Sequence, residues 1–550
     1  MKLTRREVVS RAGALGTVAA LAAVPAFGQT TEPSRMSLTD FVKDPARIDS
    51  LRRGVATMKA RPASDHRSWF FQAAIHAYDD ALYADALAHD PAVAQVDRAR
   101  YWNKCTHFGQ SSANFVVWHR AYLYYFERIL RDAAGDPDLA LPYWDYTKPE
   151  NRSFPEIFAD EYVDRAKRIP NPLYHSNRDL AFVIGTLGIS DAVGRAATTV
   201  DSDIFFSDIG VTGFAGDILD SDETQVGLIE QRPHNDIHLA VGGVVGTANG
   251  AMADVRTAAF DPVFWVHHAN IDRMWAEWSR KRGKGWGALP PDSWLDEDAW
   301  IFLDVDGKEK TNSRRFYIER ASLPVRYDTD GLFGAALALP SPTPPPPPPP
   351  PPTGEESNRA PTETVVAPAM VKSAAPKRSR TLLADNVPFD VSPASPGAHV
   401  LGLAATPTES VGVAPPSQQG IRAPAPAAAA APPPLRAPSI AANERVLLEL
   451  SDISFDRVPS SGFAVYLIGS SANGSSEPVG LLNLFGATHM QMPTMKVAQR
   501  FDVTRIVAHS EGPFTLRIEP YDLLVSKAGA SAPQRADQVH IGSVKFVVIS

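Results

Sequence analysis

The sequence predicts a mainly α-helical domain, a four-helix bundle around an inward-facing metal site, followed by a proline-rich disordered linker and a small all-β C-terminal domain. Three observations carry this expectation. Apolar residues recur at helical spacing over residues 64–83, 115–133, 224–241 and 267–281. Histidines gather on or beside those same segments. The composition then breaks near Leu339, and strand-like runs resume only after Asn443.

At the N-terminus, Arg5-Arg6 precedes a mild apolar stretch from Ala12 to Val24 and a small-residue cleavage candidate at Ala26-Phe27-Gly28. Residues 1–28 thus read as a twin-arginine signal peptide, too weakly apolar for a stable membrane span. That leader implies export to a periplasmic or secreted location. Residues 34–335 read as the helical domain, with Gly135-Asp-Pro137 stopping its long second helix.

Residues 336–442 read as the linker. Of the chain's 48 prolines, 26 lie between Pro340 and Pro438, and Pro344 to Pro352 are nine in succession, a stiff polyproline II rod. The rest of that stretch has too few aromatic residues to bury much surface, although an apolar patch over residues 381–391 offers something to dock. Residues 443–550 carry β-branched and aromatic runs at 445–450, 463–468, 514–519 and 539–548, separated by Gly/Ser/Asn turns, as in a small sandwich or barrel.

Composition narrows the chemistry. A net charge of −8 argues against a broadly basic nucleic-acid binder. A single cysteine excludes an internal disulfide and a thiolate-rich metal site, leaving the 14 histidines and the carboxylates. Two histidine clusters stand out. One comprises His76, Cys105-Thr-His107 and His119; the other comprises His234, His238 and the doublet His267-His268. His234 and His238 lie at i and i+4, which aims both imidazoles from one helix face. Asp272 follows His268 at i+4, placed to orient a ring nitrogen or to pair with an arginine. All-imidazole ligation suits copper, and also zinc, iron or nickel. Six histidines split three and three would hold two metals, each with an open position, and two such coppers facing each other can bind dioxygen between them. The remaining histidines read as surface or capping residues.

At these residues the chain resembles the tyrosinase and polyphenol oxidase family of type-3 copper proteins. Phe115-Val-Val-Trp-His119-Arg-Ala-Tyr-Leu-Tyr-Tyr-Phe-Glu127 is similar to the family's copper A motif, and Asp261-Pro-Val-Phe264-Trp-Val-His-His268-Ala-Asn-Ile-Asp272 to its copper B motif. The resemblance implies two copper ions, with His76, His107 and His119 as copper A ligands and His234, His238 and His268 as copper B ligands. His267 does not match a ligand and is expected to pack or hydrogen-bond beside the site. Leu141-Pro-Tyr-Trp-Asp145 and Leu323-Pro-Val-Arg-Tyr-Asp328 resemble further landmarks of the plant enzymes, and Val539-His-Ile-Gly-Ser-Val-Lys545 resembles the end of their C-terminal β-domain.

Three departures qualify the match. The loop between His107 and Phe115 is longer than usual. The cysteine stands at Cys105, two before His107, as in fungal and molluscan members, where a Cys105–His107 thioether would lock the ring; an ordinary free thiol is the alternative. Val325 replaces the first residue of a paired-tyrosine motif. The resemblance also implies that Glu230, four before His234, and Asn235 act on a phenol's proton, with a helix-start carboxylate as the plain alternative for Glu230. Val255 and Phe264 are candidate substrate-gate positions, valine implying an open mouth and Phe264 an apolar wall near copper A.

The implied activity is o-hydroxylation of monophenols and oxidation of o-diphenols to o-quinones with dioxygen. A diphenol-only oxidase, a non-catalytic oxygen carrier and a dinuclear zinc hydrolase are the competing readings, the last disfavoured by the lack of evident bridging carboxylates. The expected partners are a phenolic small molecule and dioxygen, with no nucleic acid and no membrane span. The C-terminal domain is expected to fold back and shield the site, with Phe485 or Met490 as the plug.

Overall fold

The computed structural model describes residues 32–106, 112–194, 200–218, 226–245, 248–281, 284–319 and 323–330 of the helical domain. Beyond these it describes 379–385, 388–392, 397–401, 440–441, 444–455, 461–469, 478–482, 485, 497–509, 514–527 and 538–549. The leader, the proline run, His107 and Met490 lie outside the described residues.

Five helices frame the first domain. Helix α1, Pro45–Ala60, opens with Pro45 at its first position and the Asp44 side chain accepting from the Ala46 amide, which together fix its start. Gly54 on α1 lets the chain pass close to Leu130; a side chain there would meet the Leu130 Cδ1 at 2.8 Å. Helix α2, Trp69–His76, is capped by Ser68, whose hydroxyl accepts from Phe71. The expected single helix over 64–83 is broken after His76 by the extended Ala77, and a separate helix resumes at Asp80–His89.

Helix α3, Asn114–Ala134, is the long central element. It ends where Gly135 turns left-handed, φ 60°, and its amide caps the carbonyls of Arg131 and Asp132. Helix α4 spans Asn235–Gly242 and helix α5 Val263–Trp278. Both are buried almost all round, as bundle-core helices must be. The 224–241 expectation is shortened because Arg232 has extended backbone, φ −150° and ψ 131°, next to Pro233. Helix α5 begins at Val263, so His268 sits within it rather than at its start. No helix among the described residues is long and apolar enough to cross a membrane.

Buried ion pairs lock these helices. Asp272 on α5 receives Arg120 of α3 at 2.5 Å, Arg35 at 3.2 Å and the Tyr327 hydroxyl at 2.6 Å. Burial alone would push this carboxyl up, but the Arg120 and Arg35 charges hold it below the usual carboxylate range. Asp272 therefore pairs with arginines; it does not orient His268. Arg178 makes two bonds to Asp261, at 2.7 and 2.6 Å, which fixes the entry into α5.

The C-terminal domain is a two-sheet sandwich. One sheet orders Ser379–Asp385, Ser543–Ile549, Arg445–Phe455, Val539–Ile541 and Phe389–Val391, with Val497–Asp502 also paired to Arg445–Phe455. The other orders Gly397–Leu401, Phe514–Asp522, Ser461–Ile468 and Gly480–Leu482. Alternate residues Val446, Leu448 and Leu450, Phe463, Val465 and Leu467, and Phe514, Leu516 and Ile518 fill the space between them. The linker expectation is corrected here. Ser379–Asp385, Phe389–Val391 and Gly397–Leu401 are strands of these sheets, so the domain begins well before Asn443. Thr381, Leu383 and Val391 are strand residues placed by the ladder, which a proline-rich composition averaged over the region conceals.

The two domains are joined along an edge. Leu524–Ser526 pairs antiparallel with Leu187–Ile189 of the helical domain, adding a strand across the boundary. Arg445 reaches Asp217 at 2.9 Å, and Asp502 accepts from the Gly210 amide at 2.9 Å.

Candidate metal centre

Both histidine clusters form on adjoining helices and face each other in the bundle core. His76 ends α2, and its Nδ1 donates to the Val255 carbonyl at 3.1 Å; His119 on α3 donates Nδ1 to the Phe115 carbonyl at 2.8 Å. On α4, His238 donates Nδ1 to the Met252 carbonyl at 2.8 Å, and His234, at the junction with the preceding turn, donates Nδ1 to Asn235 Oδ1 at 2.9 Å. Each of these bonds fixes the ring and leaves the Nε2 lone pair available to a metal.

In the second cluster the Nε2 of His268 lies 3.3 Å from Nε2 of His234 and 3.3 Å from Nε2 of His238. Two nitrogens bound at about 2.0 Å to one ion at a tetrahedral angle stand about 3.3 Å apart, so this triangle already has the spacing a metal requires. The His268 ring stacks on His119 with centroids 4.3 Å apart and 13° between planes, bringing the two clusters together. Burial, and then the neighbouring imidazoles, push His268 well below its ordinary pKa, so it stands as a neutral donor. Among the described residues, neither cluster includes a carboxylate; those grouped in the second are His234, His238, His267 and His268. Neutral imidazoles with an apolar surround fit copper.

His267 has a different part. Its Nδ1 lies 3.1 Å from the Tyr146 hydroxyl, and burial holds its pKa at about 3, opposed by hydrogen bonding to the His234 main chain. It packs against His234 with centroids 5.3 Å apart, a supporting ring beside the His234–His238–His268 triangle. Tyr146 follows the Leu-Pro-Tyr-Trp-Asp landmark, but nothing in the spacing announces its bond to residue 267.

The first cluster brings together His76, Cys105 and His119; Cys105 Sγ is 3.7 Å from His119 Nε2. The third expected ligand, His107, and with it the thioether expectation, lies outside the described residues. Phe264 lies between the clusters, its ring 5.0 Å from His76 and 4.1 Å from His268, so it walls both clusters rather than the first alone. Phe115 is a further wall residue, 4.6 Å from His119 and 4.5 Å from His234. Val255 is buried, and its carbonyl, through the His76 bond, ties it to the first cluster. Glu230 is buried at the start of the turn leading to His234, and Asn235 Oδ1 is committed to His234.

One ring enters from the other domain. Phe485 stacks on His238 with centroids 4.1 Å apart and planes 25° apart, and meets His234 edge-on at 5.7 Å. It is fully buried there.

Comparison with known proteins agrees with this geometry. Residues 66–281 match the common central domain of tyrosinase. A tyrosinase of Hahella sp. (strain CCB-MM4) is 37% identical over 257 residues, 42% of this chain and 50% of that one. The latent form of a chloroplastic polyphenol oxidase from Prunus armeniaca is 30% identical over 326 residues, 54% of this chain and 49% of that one. A chloroplastic (+)-larreatricin hydroxylase from Larrea tridentata is 30% identical over 277 residues, 47% of this chain and 44% of that one. The chain thus spans about half the length of the curated relatives it matches. Among solved structures, latent apple tyrosinase superposes with a TM-score of 0.53 at 21% identity, covering 94% of this chain and 98% of that one, a likeness of fold across both domains. Residues 66–281 of the chain thus carry the common central domain of tyrosinase, and that stretch is similar to tyrosinases and polyphenol oxidases.

Proposed function

We propose that the chain oxidises phenols with dioxygen, o-hydroxylating monophenols and oxidising o-diphenols to o-quinones. The observation that carries this reading is the close approach of the His234 and His238 Nε2 atoms to that of His268, whose ring stacks on His119 of the other cluster. The copper pair would supply the binding and reduction of dioxygen, two o-diphenols being oxidised for each dioxygen reduced to two waters. The protein's own part is to present neutral, fixed imidazoles, to exclude water with Phe115 and Phe264, and to accept a phenol's proton. A phenol has a pKa of about 10 and needs such an acceptor near neutral pH. Buried Glu230, four residues before His234, is the carboxylate we assign to that task, with Asn235 orienting His234 beside it. Hydroxylation is favoured over a diphenol-only activity by Val255, which leaves more room than an aromatic side chain, and by the similarity to a larreatricin hydroxylase.

We further propose that the C-terminal domain keeps the enzyme latent, with Phe485 on His238 as the plug, and that the Arg5-Arg6 leader directs export. Oxygen consumption with tyrosine and with a catechol, on copper-loaded protein before and after limited proteolysis, tests the reading. Uptake with both substrates is expected, rising after cleavage. Uptake with the catechol alone would reduce the activity to a diphenol oxidase, and no uptake with two coppers bound would leave an oxygen carrier.

A further inference from the structure

The C-terminal domain does more at the second cluster than place one ring over it. The segment carrying His234 and His238 is held at several consecutive points by that domain. The Leu481 amide donates to Gln231 Oε1 at 3.2 Å. The Tyr521 hydroxyl donates to Asp236 Oδ1 at 2.8 Å, while Arg232 Nε donates to the other oxygen, Oδ2, at 2.9 Å. The Arg232 guanidinium also lies over the Tyr521 ring, 4.1 Å from its centroid. Asp236 stands between the two histidines on α4 and is buried. One of its oxygens is therefore bonded from within the helical domain and the other from across the boundary. A buried carboxylate left with one oxygen unbonded is costly, so this contact holds the turn and the helix together.

The Tyr521 ring is itself fixed in place. It lies against the bare backbone of Gly462 on the neighbouring strand, where a Cβ would fall 2.1 Å from the ring's Cζ. The clamp is thus built into the sandwich rather than borne on a loop.

We propose that the C-terminal domain has a second function, separate from covering the site: through Tyr521 on the Arg232–Asp236 pair it clamps the segment bearing His234 and His238 and so slows loss of metal from the second cluster. This rests on the two-copper reading and is independent of whether Phe485 blocks substrate. A segment held just before His234 and again between His234 and His238 keeps its imidazoles converged when the ion leaves one of them, as outer partners of metal ligands do elsewhere.

The test uses full-length, copper-loaded protein challenged with excess copper chelator, following bound copper and the electron paramagnetic resonance signal of the one-copper species. Tyr521→Phe keeps the ring and removes only the hydroxyl; it is expected to release one of its two coppers about tenfold faster than the native protein. Lys527→Ala removes an inter-domain contact remote from the cluster, the 2.6 Å bond to Ser153, and is expected to release copper at the native rate. A native release rate in Tyr521→Phe overturns the clamp, and so does equal acceleration in both variants, which would show general loosening of the domain. Failure of the native protein to hold two coppers would instead overturn the two-copper reading. A clamp that fails while Phe485→Ala still raises catechol turnover leaves that reading standing.

Discussion

His267 and His268 are neighbours on α5, yet only one belongs to the Nε2 triangle. His268 has both 3.3 Å contacts, whereas His267 is turned to Tyr146. Replacing His76, His119, His234, His238 or His268 by alanine should abolish diphenol oxidation and lose copper, because three imidazoles per ion leave no spare donor. The same loss is expected for His107→Ala. His267→Ala should retain both coppers, counted by metal analysis of the purified variant; loss of one would make it a ligand. Glu230→Gln and Asn235→Ala should depress tyrosine hydroxylation more than catechol oxidation, because a catechol surrenders its protons more easily. Equal loss on both substrates would make the two residues structural. The expected ligand set rested on the resemblance to the family, and spacing alone showed only that His234 and His238, at i and i+4, converge from one face. Their second partners were legible in neither. The Val255 carbonyl that orients His76 is 179 residues away along the chain, and no local pattern encodes such a pairing.

At the scale of elements, the apolar period located α2 to α5 and missed α1, Pro45–Ala60, and the shifted helix ends have physical causes. Extended backbone at Ala77 and Arg232 ends or delays a helix that periodicity alone would continue. The three strands between Ser379 and Leu401 escaped because their flanks are rich in proline and alanine, and their pairing partners lie about 110 to 170 residues onward. The element most exposed to a single change is α5, through Asp272. Asp272→Ala leaves Arg120 and Arg35 buried with less compensation and should cost about 3–5 kcal/mol, read as a lowered Tm. The pH dependence follows in sign. Asp272 and Asp261 both have folded pKa values below the ordinary one, so their contribution is fully present above the unfolded pKa, about 4, and is lost as pH falls through the depressed folded values. Acid unfolding of the native protein should therefore steepen below about pH 4, and Asp272→Asn should flatten that part of the curve.

For the whole molecule, the arrangement is a helical bundle with a sandwich bonded to its edge and reaching its histidine clusters. The cost of closing a long tether rises only logarithmically with its length, and tethering keeps even a modest interface occupied. Because Ser379–Asp385 is already a strand of the sandwich, a cut that frees it must fall before Ser379. Phe485→Ala in the intact chain should raise catechol turnover several-fold without any cut, measured as initial rate at saturating substrate. Unchanged turnover would make Phe485 a packing residue. That both units and their order were legible reflects how sharply composition changes at Leu339. That they touch at His238 was legible only as a choice between Phe485 and Met490. The central claim is that this chain is a two-copper phenol oxidase, and oxygen uptake with a catechol by copper-loaded protein tests it most directly. One dioxygen consumed for every two catechols is expected, with a several-fold faster rate once the chain is cut before Ser379; two bound coppers with no oxygen consumed in either form would overturn the assignment.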